Sequence, residues 1–386
     1  DAGTDERLVF ETVPRGRGWT VLKVTRKTPH YFCLLSALRG SGLVVVGDVK
    51  YGDRVDRRAR RPLVHCSALS VEGMGTFQAD YPADFAFWMG APHEVARRLF
   101  VDNAETDVYR WYNGEADGTK GWIVDRYGPF AWVRHDDGQI DGPMPSTKGV
   151  YSVSAPKDRS RHENPGAVLV KGHPIPEWHW VIENGVRYCV KLEGERSTGM
   201  FLDQRPQRAW LTRFANNFEI LNTFAHAGAF SVAASVAGAQ TLSLDLSKKW
   251  LSRISRQVEA NDGDPRLHRW SACDVFERLP RLARQGRQFD LVILDPPSTS
   301  IGTKKKRWSS VKNYTELVRL AAPLVKPGGS IWACTNHRQT LPDIFVKRVR
   351  AGLPKLFSLE MCCPPAVDHP SLGPTPLKVH IWRHRG

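Results

Sequence analysis

The sequence predicts an α/β protein whose C-terminal half is a doubly wound, mostly parallel sheet. From Phe218 onward, short apolar runs typical of buried strands alternate with amphipathic runs typical of helices. Acidic residues stand where successive strand-like runs end, which is where such a sheet binds its ligands. The chain has 386 residues, more than one compact core usually holds, so we expect further domains before this sheet.

The alternation can be followed element by element. The strand FEILNTF, the small-residue turn AHAGA and the helix FSVAASVAGA come first. The strand TLSLDLS precedes the helix KKWLSRISRQVEAND, which carries Trp250, Leu251, Ile254 and Val258 on one face. The strand FDLVILDPP, the helix YTELVRLAAPLVKPGG, ended by its Pro-Gly-Gly, and the strand SIWACTN follow. We expect right-handed crossovers between the parallel strands.

Two features precede this sheet. The stretch 136–168 is rich in Gly, Pro, Ser and charged residues and is predicted to be loops and a connector. The run WHWVIENGVRYCVKLEG has β-rich segments on both sides of Asn184-Gly185, which predicts a hairpin.

Composition narrows the function classes. The 55 Lys and Arg against 40 Asp and Glu give a net charge of +15, which favours a polyanionic partner such as nucleic acid. The 13 Trp, 9 Tyr and 16 Phe add stacking surfaces for bases. The seven Cys form no C-x-x-C pair, so we expect neither a disulfide framework nor a zinc site. No run approaches 18 apolar residues, so we expect no membrane span.

The acidic strand ends indicate a nucleoside cofactor. Asp245 ends the second strand, 17 residues after Gly228, where a carboxylate accepts hydrogen bonds from ribose hydroxyls. Asp274 and Asp295 follow the next two strands. The first turn, TFAHAGAF, has one Gly where a dinucleotide pyrophosphate needs two close approaches, so S-adenosylmethionine suits it better than a nicotinamide dinucleotide. The alternative is that these are ordinary solvated aspartates.

Several ordered motifs resemble one bacterial family. RWYNGEADGTKGWIVDRYG (110–128), STGMFLDQR (197–205), LNTFAHAGAFSVAA, and VDHP followed by LKVHIWR are similar to motifs of large-subunit rRNA methyltransferases, including the cytosine carbon-5 enzyme I. The resemblance implies a Rossmann-like class I methyltransferase fold, S-adenosylmethionine as cofactor and an rRNA substrate. It departs at Ser197, where the family usually has Lys. By motif, the resemblance puts the cofactor contacts on Arg205, Asn222, Phe224, Gly228, Asp245, Ser247, Asp274 and Asp295.

Cys334 bears on which base is methylated. Carbon-5 methylation of cytosine needs a thiolate that adds to carbon 6. In the resembled family this thiol stands seven residues after the second Gly of Gly-Gly, which here is Asn336, whereas Cys334 is five residues on. An offset of two residues keeps the strand face but moves the side chain by ~6–7 Å. We therefore expect Cys334 to be a core residue.

Other signals favour a base nitrogen. CTNHR resembles the Ser-x-Asn-Lys-Arg stretch of the related guanine nitrogen-7 methyltransferases, whose target has its own lone pair and needs no thiol. DPPS lacks the aromatic residue of Asp-Pro-Pro-Tyr that stacks the base in many exocyclic-amine methyltransferases. The candidate catalytic residues are thus Asp295 and Asn336. The basic run Lys304, Lys305, Lys306 and Arg307 is expected to contact phosphates near the site, the alternative being a solvated charge run.

The first 80 residues resemble another family. VVGDVKYG and LVHCSALSV are similar to motifs in the C-terminal part of pseudouridine synthases, but the catalytic-aspartate segment is absent, so isomerase activity is not expected. The expected domains are a degenerate pseudouridine-synthase-like module (1–83), a small central α+β domain with the hairpin (84–196) and the methyltransferase domain (197–386).

The function expected from these features is S-adenosylmethionine-dependent methylation of large-subunit rRNA during ribosome biogenesis. The partner would be that rRNA or an assembly intermediate. The alternative is an inactive assembly factor that keeps the fold to bind rRNA. The decayed N-terminal module, the basic charge and a start at Asp1 suit a mitochondrial or other organelle matrix after removal of a transit segment, with a bacterial cytoplasm as the alternative.

Overall fold

The computed structural model describes most of the chain after residue 104 and short stretches before it. The described residues are 9–15, 19–25, 38–39, 45, 64, 68–71, 75–78, 105–136, 142–154, 166–301, 307–363, 366, 368–369, 371 and 376–386. The chain forms two compact units, Asp1–Asp102 and Asn103–Gly386. The domain boundaries expected after residues 83 and 196 stay predictions.

The described residues of the first unit include two antiparallel strand pairs. In one, β1 (Val9–Arg15) pairs with β2 (Trp19–Thr25). In the other, β3 (Ala68–Val71) pairs with β4 (Gly75–Gln78). The motifs that resemble a pseudouridine synthase lie largely outside the described residues, so that interpretation stays a prediction.

The second unit begins with a five-stranded sheet in the order β5-β6-β7-β8-β9. Its strands are β5 (Val108–Asn113), β6 (Ile123–Tyr127), β7 (Phe130–His135), β8 (Gly149–Ser154) and β9 (Val168–Gly172). Neighbouring strands are antiparallel except β7 and β8, which run parallel.

Strand β8 corrects one sequence prediction. The stretch 136–168 was expected to be loops and a connector, but its residues 149–154 form an inner strand of this sheet, buried at five of six positions. The apolar residues Val150, Tyr151 and Val153 form the strand, while the Gly, Pro and charged residues around them dominate the composition of the stretch. Composition averaged over the stretch therefore hid the strand.

The predicted hairpin is present. Strands β10 (His179–Glu183) and β11 (Val186–Val190) are antiparallel and joined by Asn184 and Gly185. Both turn residues have positive φ, 50° and 77°, as a two-residue type I′ turn requires. The hairpin packs its buried side chains, including Val181 and Tyr188, against the helical layer of the large sheet.

The large sheet confirms the predicted doubly wound fold. It has seven strands in the order β14-β13-β12-β15-β18-β20-β19. The first five are parallel, and β20 is antiparallel to both its neighbours. The bounds are β12 (Glu219–Thr223), β13 (Gln240–Asp245), β14 (His268–Ala272), β15 (Phe289–Leu294), β18 (Val325–Thr335), β19 (Phe357–Cys363) and β20 (Lys378–His384), with a small separate pair of β16 (Thr299–Ile301) and β17 (Arg307–Ser309).

Helices cover both faces of this sheet. Their bounds are α1 (Arg205–Phe214), α2 (Ala229–Val236), α3 (Lys248–Leu251), α4 (Arg253–Glu259), α5 (Val275–Arg284), α6 (Tyr314–Ala321) and α7 (Pro342–Gly352). Their apolar faces and the sheet form contiguous cores that include fully buried Trp332, Trp382 and Phe289. Among the described residues, no helix is both long and apolar enough to cross a membrane.

Two helices differ from the sequence expectation. The single helix predicted after Asp245 is split at Ser252, whose hydroxyl donates to the Lys249 carbonyl at 3.0 Å and competes with the regular helical bonds. The helix that begins at Tyr314 ends at Ala321, and a 3-10 turn containing Pro323 follows it. The Pro-Gly-Gly run therefore lies in the first part of β18 rather than at the helix end.

Candidate active site

The carboxyl ends of the parallel strands meet along one edge of the seven-stranded sheet. Asp274 follows β14, Asp245 ends β13, and Asp295 follows β15. The turn after β12 lies between Asp245 and Asp295, because β12 pairs with both β13 and β15. The three acidic residues identified in the sequence therefore share one edge with this turn.

The turn after β12 has an unusual backbone. Phe224, His226 and Gly228 have φ values of 56°, 51° and 78°, so three residues in five adopt the left-handed conformation. At Gly228 a Cβ would lie 2.3 Å from Ile254 Cγ1 of α4, so both the φ angle and the packing require glycine there. The residues between these three are alanines, so His226 is the one large side chain between Phe224 and α2.

Asp245 holds this turn in place. Its Oδ2 accepts a hydrogen bond from the His226 backbone N–H at 2.9 Å, and its Oδ1 accepts one from the Ser247 N–H at 2.8 Å. Each carboxylate oxygen has a further lone pair beyond these bonds, and the residue is only partly buried. The carboxylate therefore shapes the site and can still accept a hydrogen bond from each hydroxyl of a ribose.

Ser247 and Trp250 continue the site on the far side of Asp245. Ser247 is the N-cap of α3, and its Oγ accepts from the Trp250 N–H at 3.4 Å. The Trp250 ring lies over the His226 ring with centroids 4.1 Å apart. Burial lowers the pKa of His226 more than the nearby Asp245 carboxylate raises it, which favours a neutral imidazole in this stack.

Aromatic rings connect the next two strand ends. Asp274 is the N-cap of α5 and its Oδ1 accepts from the Phe276 N–H at 2.9 Å. The buried ring of Trp308 has its centroid 5.3 Å from that of Phe276 and 6.1 Å from that of Phe224. Its indole N–H donates to the Pro297 carbonyl at 2.6 Å, so Trp308 links α5, the β12 turn and the segment after Asp295.

Asp295 is the titratable group at the centre of the edge. Its Oδ2 accepts a hydrogen bond from Gln204 Nε2 at 3.1 Å. Burial, with a smaller contribution from the Asp203 carboxylate, raises the pKa of Asp295 to about 7, against an ordinary value of 3.8. A carboxyl with this pKa is present in both forms near neutral pH and can either donate or accept a hydrogen bond.

Asn336 lies next to the segment that follows Asp295. Its Oδ1 accepts a 2.8 Å hydrogen bond from Ser298 Oγ, which joins the ends of β15 and β18. The Asn336 side chain is exposed, and its Nδ2 is oriented by the bond that its Oδ1 makes. Asp295 and Asn336, the two candidate catalytic residues, thus follow neighbouring strands of the sheet, and their catalytic role stays a prediction.

Cys334 is a core residue, as expected. It is fully buried in β18 and packs with Leu377, Val379 and Cys363. Burial, with the nearby Asp295 carboxylate as a smaller cause, raises the pKa of its thiol well above the ordinary value of 9.0. The environment therefore disfavours the thiolate that a nucleophile would need.

Tyr314 fixes the backbone beside this thiol. Its hydroxyl donates to the carbonyl oxygens of Leu294 and Cys334, at 3.1 and 2.8 Å. The two carbonyls lie at the ends of β15 and β18, so the buried phenol bridges the two strands that carry Asp295 and Asn336.

Arg205 and Asn222, two of the predicted cofactor contacts, have their side chains in the protein interior. Arg205 forms ion pairs with Asp368 at 2.9 Å and with Glu183 at 3.3 Å, and it donates to the Val108 carbonyl at 2.9 Å. Asn222 is 1% exposed, and its Nδ2 donates to Ser231 Oγ at 3.0 Å. The structure gives both residues internal partners, and their contact with a cofactor stays a prediction.

The basic run expected to bind RNA falls mostly outside the described residues. Lys304, Lys305 and Lys306 are not described, and of Arg307 only the backbone, at the start of β17, is described. Phosphate contact by this run stays a prediction.

Three residues of the site were not predicted from the sequence. Gln204 binds Asp295, His226 connects Asp245 to Trp250, and Trp308 lies between two aromatic rings. Gln204 lies inside the STGMFLDQR motif, and Trp308 directly follows the basic run, so both stood next to features that the sequence identified. Nothing in the sequence indicates the left-handed conformation of His226.

The residues present suit S-adenosylmethionine. Two partly buried strand-end carboxylates, Asp245 and Asp274, can accept hydrogen bonds from ribose hydroxyls and from an adenine amine. Within the described part of the chain, the buried Nδ1 of His226 has no hydrogen-bond partner, which leaves one unsatisfied polar atom in the turn itself. The donor set therefore fits a nucleoside, and the turn has no second glycine for a pyrophosphate.

A family comparison agrees with this geometry. Residues 152–383 match the model of the S-adenosylmethionine-dependent methyltransferase family. The chain is 30% identical over 322 residues to ribosomal RNA large subunit methyltransferase I of Alteromonas mediterranea, covering 78% of this chain and 80% of that protein. It is 33% identical over 263 residues to a candidate ribosomal RNA large subunit methyltransferase, YwbD, of Bacillus subtilis, covering 62% of this chain and 64% of that one. The chain thus spans a little under two thirds of the Bacillus protein.

Solved structures show the same fold. A candidate SAM-dependent methyltransferase from Streptococcus mutans superposes with a TM-score of 0.67 at 26% identity, covering 82% of this chain and 87% of that chain. A candidate methyltransferase, SMU.776, complexed with SAH superposes with a TM-score of 0.68 at 23% identity, covering 91% of this chain and 98% of that chain.

Proposed function

The chain belongs to the S-adenosylmethionine-dependent methyltransferase family, and from this premise we propose that it methylates a base nitrogen of large-subunit rRNA. S-adenosylmethionine is the cofactor of this family and of this chain. The names of the relatives from Alteromonas and Bacillus support rRNA as the substrate class. The net charge of +15 supports a polyanionic substrate independently of those names.

The chemistry at the strand ends supports nitrogen over carbon. Cytosine carbon 5 becomes nucleophilic only after a thiolate adds to carbon 6. Cys334 is buried with a raised pKa, and the position two residues later, which the resembled carbon-5 enzymes use, is Asn336. A ring nitrogen such as guanine nitrogen 7 attacks with its own lone pair, so positioning of the base can be sufficient.

The Ser298–Asn336 hydrogen bond is the observation on which the choice of nitrogen rests. Where a covalent mechanism would need a thiolate, the chain has an exposed amide oriented by a hydroxyl. With Oδ1 engaged, the Asn336 Nδ2 can donate to a carbonyl oxygen of a base, and Asp295 can accept from a base N–H when it is ionised. These two groups would hold the base in the plane that presents its nitrogen lone pair.

When bound, the cofactor would supply a methyl group on a positively charged sulfur, for transfer to the lone pair of the base nitrogen. Asp245 and Asp274 would hold the nucleoside, and the left-handed turn would lie against it. No general base is required before transfer to a nitrogen that already has a lone pair. The work of the protein is therefore orientation and exclusion of water, and a base within a duplex must be unstacked first.

Two measurements test this function. Mapping of modified nucleotides by mass spectrometry, in rRNA from cells with and without the protein, should reveal one position that loses a methyl group. Transfer of labelled methyl to rRNA from the deficient cells should restore it, and the label should be on a nitrogen. Tight rRNA binding with no calorimetric heat from S-adenosylmethionine would instead favour the inactive assembly factor.

We further propose that methylation occurs during ribosome assembly in a mitochondrial or other organelle matrix. The strongly basic composition and the cysteine pattern without disulfide spacing support a reducing compartment that contains rRNA. Imaging of the tagged full-length protein tests the compartment. Cosedimentation with large-subunit precursors rather than mature ribosomes tests the stage.

A further inference from the structure

A row of aromatic and arginine side chains extends from the β12 turn to the hairpin. We call this row the stacking ladder, and it comprises Phe201, His226, Trp250, Arg253, Trp178, Arg256 and Trp180. The ring centroids of Phe201 and His226 are 5.5 Å apart, and those of His226 and Trp250 are 4.1 Å apart. Because the His226 backbone is bonded to Asp245, the ladder begins at the cofactor edge.

Two arginines connect the aromatic rings. Arg253 Cζ lies 4.0 Å from the Trp250 ring centroid and 5.2 Å from that of Trp178. Arg256 Cζ lies 5.0 Å from the Trp178 centroid and 5.7 Å from that of Trp180. These distances are within the range of cation–π attraction, so rings and guanidinium groups form one continuous array.

Arg253 carries charge that is not neutralised locally. It is only 4% exposed, and its Nε and Nη1 have no hydrogen-bond acceptor among the residues that the structure describes. Glu195, the carboxylate that acts on it, is itself paired with Lys249. A buried guanidinium with two unsatisfied nitrogens is costly, and an approaching anion would reduce that cost.

The helices that carry the ladder are basic. Residues 248–259 contain four cations (Lys248, Lys249, Arg253 and Arg256) and one acid, Glu259. At the same surface Phe201 is 48% exposed, Trp178 is 37% exposed, and the Arg256 side chain is exposed. Exposed aromatic faces beside an excess of cations complement the bases and phosphates of an unpaired nucleic acid strand.

We propose that the stacking ladder binds an unpaired stretch of the RNA substrate next to the target nucleotide. The inference rests on the proposed function and deepens it by assigning a surface to the substrate. A duplex offers few exposed base faces, so the ladder selects single-stranded RNA and guides it toward the edge that carries Asp245 and Asp295.

The test uses the full-length protein and a labelled, unstructured RNA oligonucleotide of about 16 nucleotides, with a duplex of the same length for comparison. Trp178→Ala should weaken single-strand binding about 10-fold, because one stacking platform is lost, and should leave the salt dependence unchanged. Arg256→Gln should reduce the slope of log affinity against log salt by about 0.7, the value for one phosphate contact on a single strand.

Two variants control for folding and for general surface effects. Trp178→Phe should retain most of the affinity, because a smaller ring still stacks. Phe214→Ala removes an aromatic side chain that is 58% exposed on α1, outside the ladder, and should bind RNA as the native protein does. All the variants should melt within a few degrees of the native protein.

The outcomes separate this inference from the proposed function. If Trp178→Ala and Arg256→Gln bind the single strand like the native protein while methyl transfer to rRNA is intact, the ladder inference is overturned and the function stands. Equal weakening for single strand and duplex would also overturn it, since stacking would then not be involved. If the native protein transfers no methyl group but the variants lose single-strand binding as described, the ladder stands without the enzymatic function.

Discussion

Ser298 and Asn336, which are 38 residues apart in sequence, share a 2.8 Å hydrogen bond across the ends of two parallel strands. The hydroxyl donates to the amide oxygen, so the amide nitrogen is the group left to face a substrate. An exposed pair of this kind contributes little to folding, which makes its effect on methyl transfer separable from stability.

Asn336→Ala should lower kcat for methyl transfer about 10- to 100-fold, because a base that is not held in line with the methyl group reacts slowly. Affinity for S-adenosylmethionine should not change, since Asp245 and Asp274 lie on other strands. Steady-state transfer of labelled methyl and calorimetry with the cofactor measure the two quantities.

The matched control is Asn216→Ala, an exposed asparagine that precedes β12 at the opposite edge of the sheet. Ser298→Ala should reproduce part of the Asn336 effect, and the double variant should lose less than the sum of the two losses. Full additivity in this cycle would mean that the hydrogen bond does not orient the amide.

Cys334→Ala should leave methyl transfer within about twofold of the native rate and cost about 1 kcal/mol of unfolding free energy. The thiol is fully buried and its pKa is raised, so it packs in the core and does not attack a base. Activity and thermal melting of the same preparation check both parts. Complete loss of transfer in a variant with normal melting would restore cytosine carbon 5 as the target.

Asp245→Asn should weaken S-adenosylmethionine binding about 10- to 100-fold, the usual effect of losing a hydrogen bond to a charged group. The asparagine oxygen can still accept one of the two backbone bonds that Asp245 makes to His226 and Ser247, so the turn should largely keep its form. Isothermal calorimetry measures the change. Asp264→Asn replaces an aspartate that also accepts from a backbone N–H but precedes β14, and it should bind the cofactor normally.

Most of the fold could be predicted from the sequence, because buried parallel strands and amphipathic helices each have a local pattern of apolar residues. The strand bounds around Asp245 and Asp295 and the hairpin at Asn184 follow directly from them. Strand β8 was missed because a short buried strand in a Gly- and Pro-rich stretch leaves no periodic signal.

Contacts between side chains that are far apart in sequence could not be predicted. Arg205 and Asp368 are 163 residues apart and form a buried ion pair, and no local pattern indicates which arginine turns inward. The same holds for the stacking of Trp250 on His226, which depends on the left-handed backbone of the turn.

Gly228→Ala should destabilise the protein by about 1–3 kcal/mol and weaken cofactor binding. The added Cβ would lie 2.3 Å from Ile254 Cγ1 at a φ of 78°, so either the turn or α4 must move. Ile254→Ala is itself destabilising because it leaves a cavity in the core, but the double variant should lose less than the sum of the two single losses, because the clash is relieved while the φ strain remains. Thermal melting and calorimetry check this, and a double variant no better than the additive sum would contradict the packing explanation.

Asp295→Asn should stabilise the protein at pH 8 by about 1–3 kcal/mol. The folded-state pKa is about 7 and the ordinary value is 3.8. At pH values between these two pKa values, Asp295 is protonated in the folded protein and ionised in the unfolded chain. The free energy of unfolding therefore falls as pH rises from about 4 to 7, and above pH 7 the stability that depends on the protonated carboxyl is lost. Asparagine can still accept from Gln204 Nε2 but carries no charge.

Urea unfolding at pH 8 and near pH 4 measures the difference in unfolding free energy between Asp295→Asn and the native protein. This difference should be largest at pH 8 and vanish near pH 4. An equal difference at both pH values would mean that the ionisation of Asp295 is not its cause.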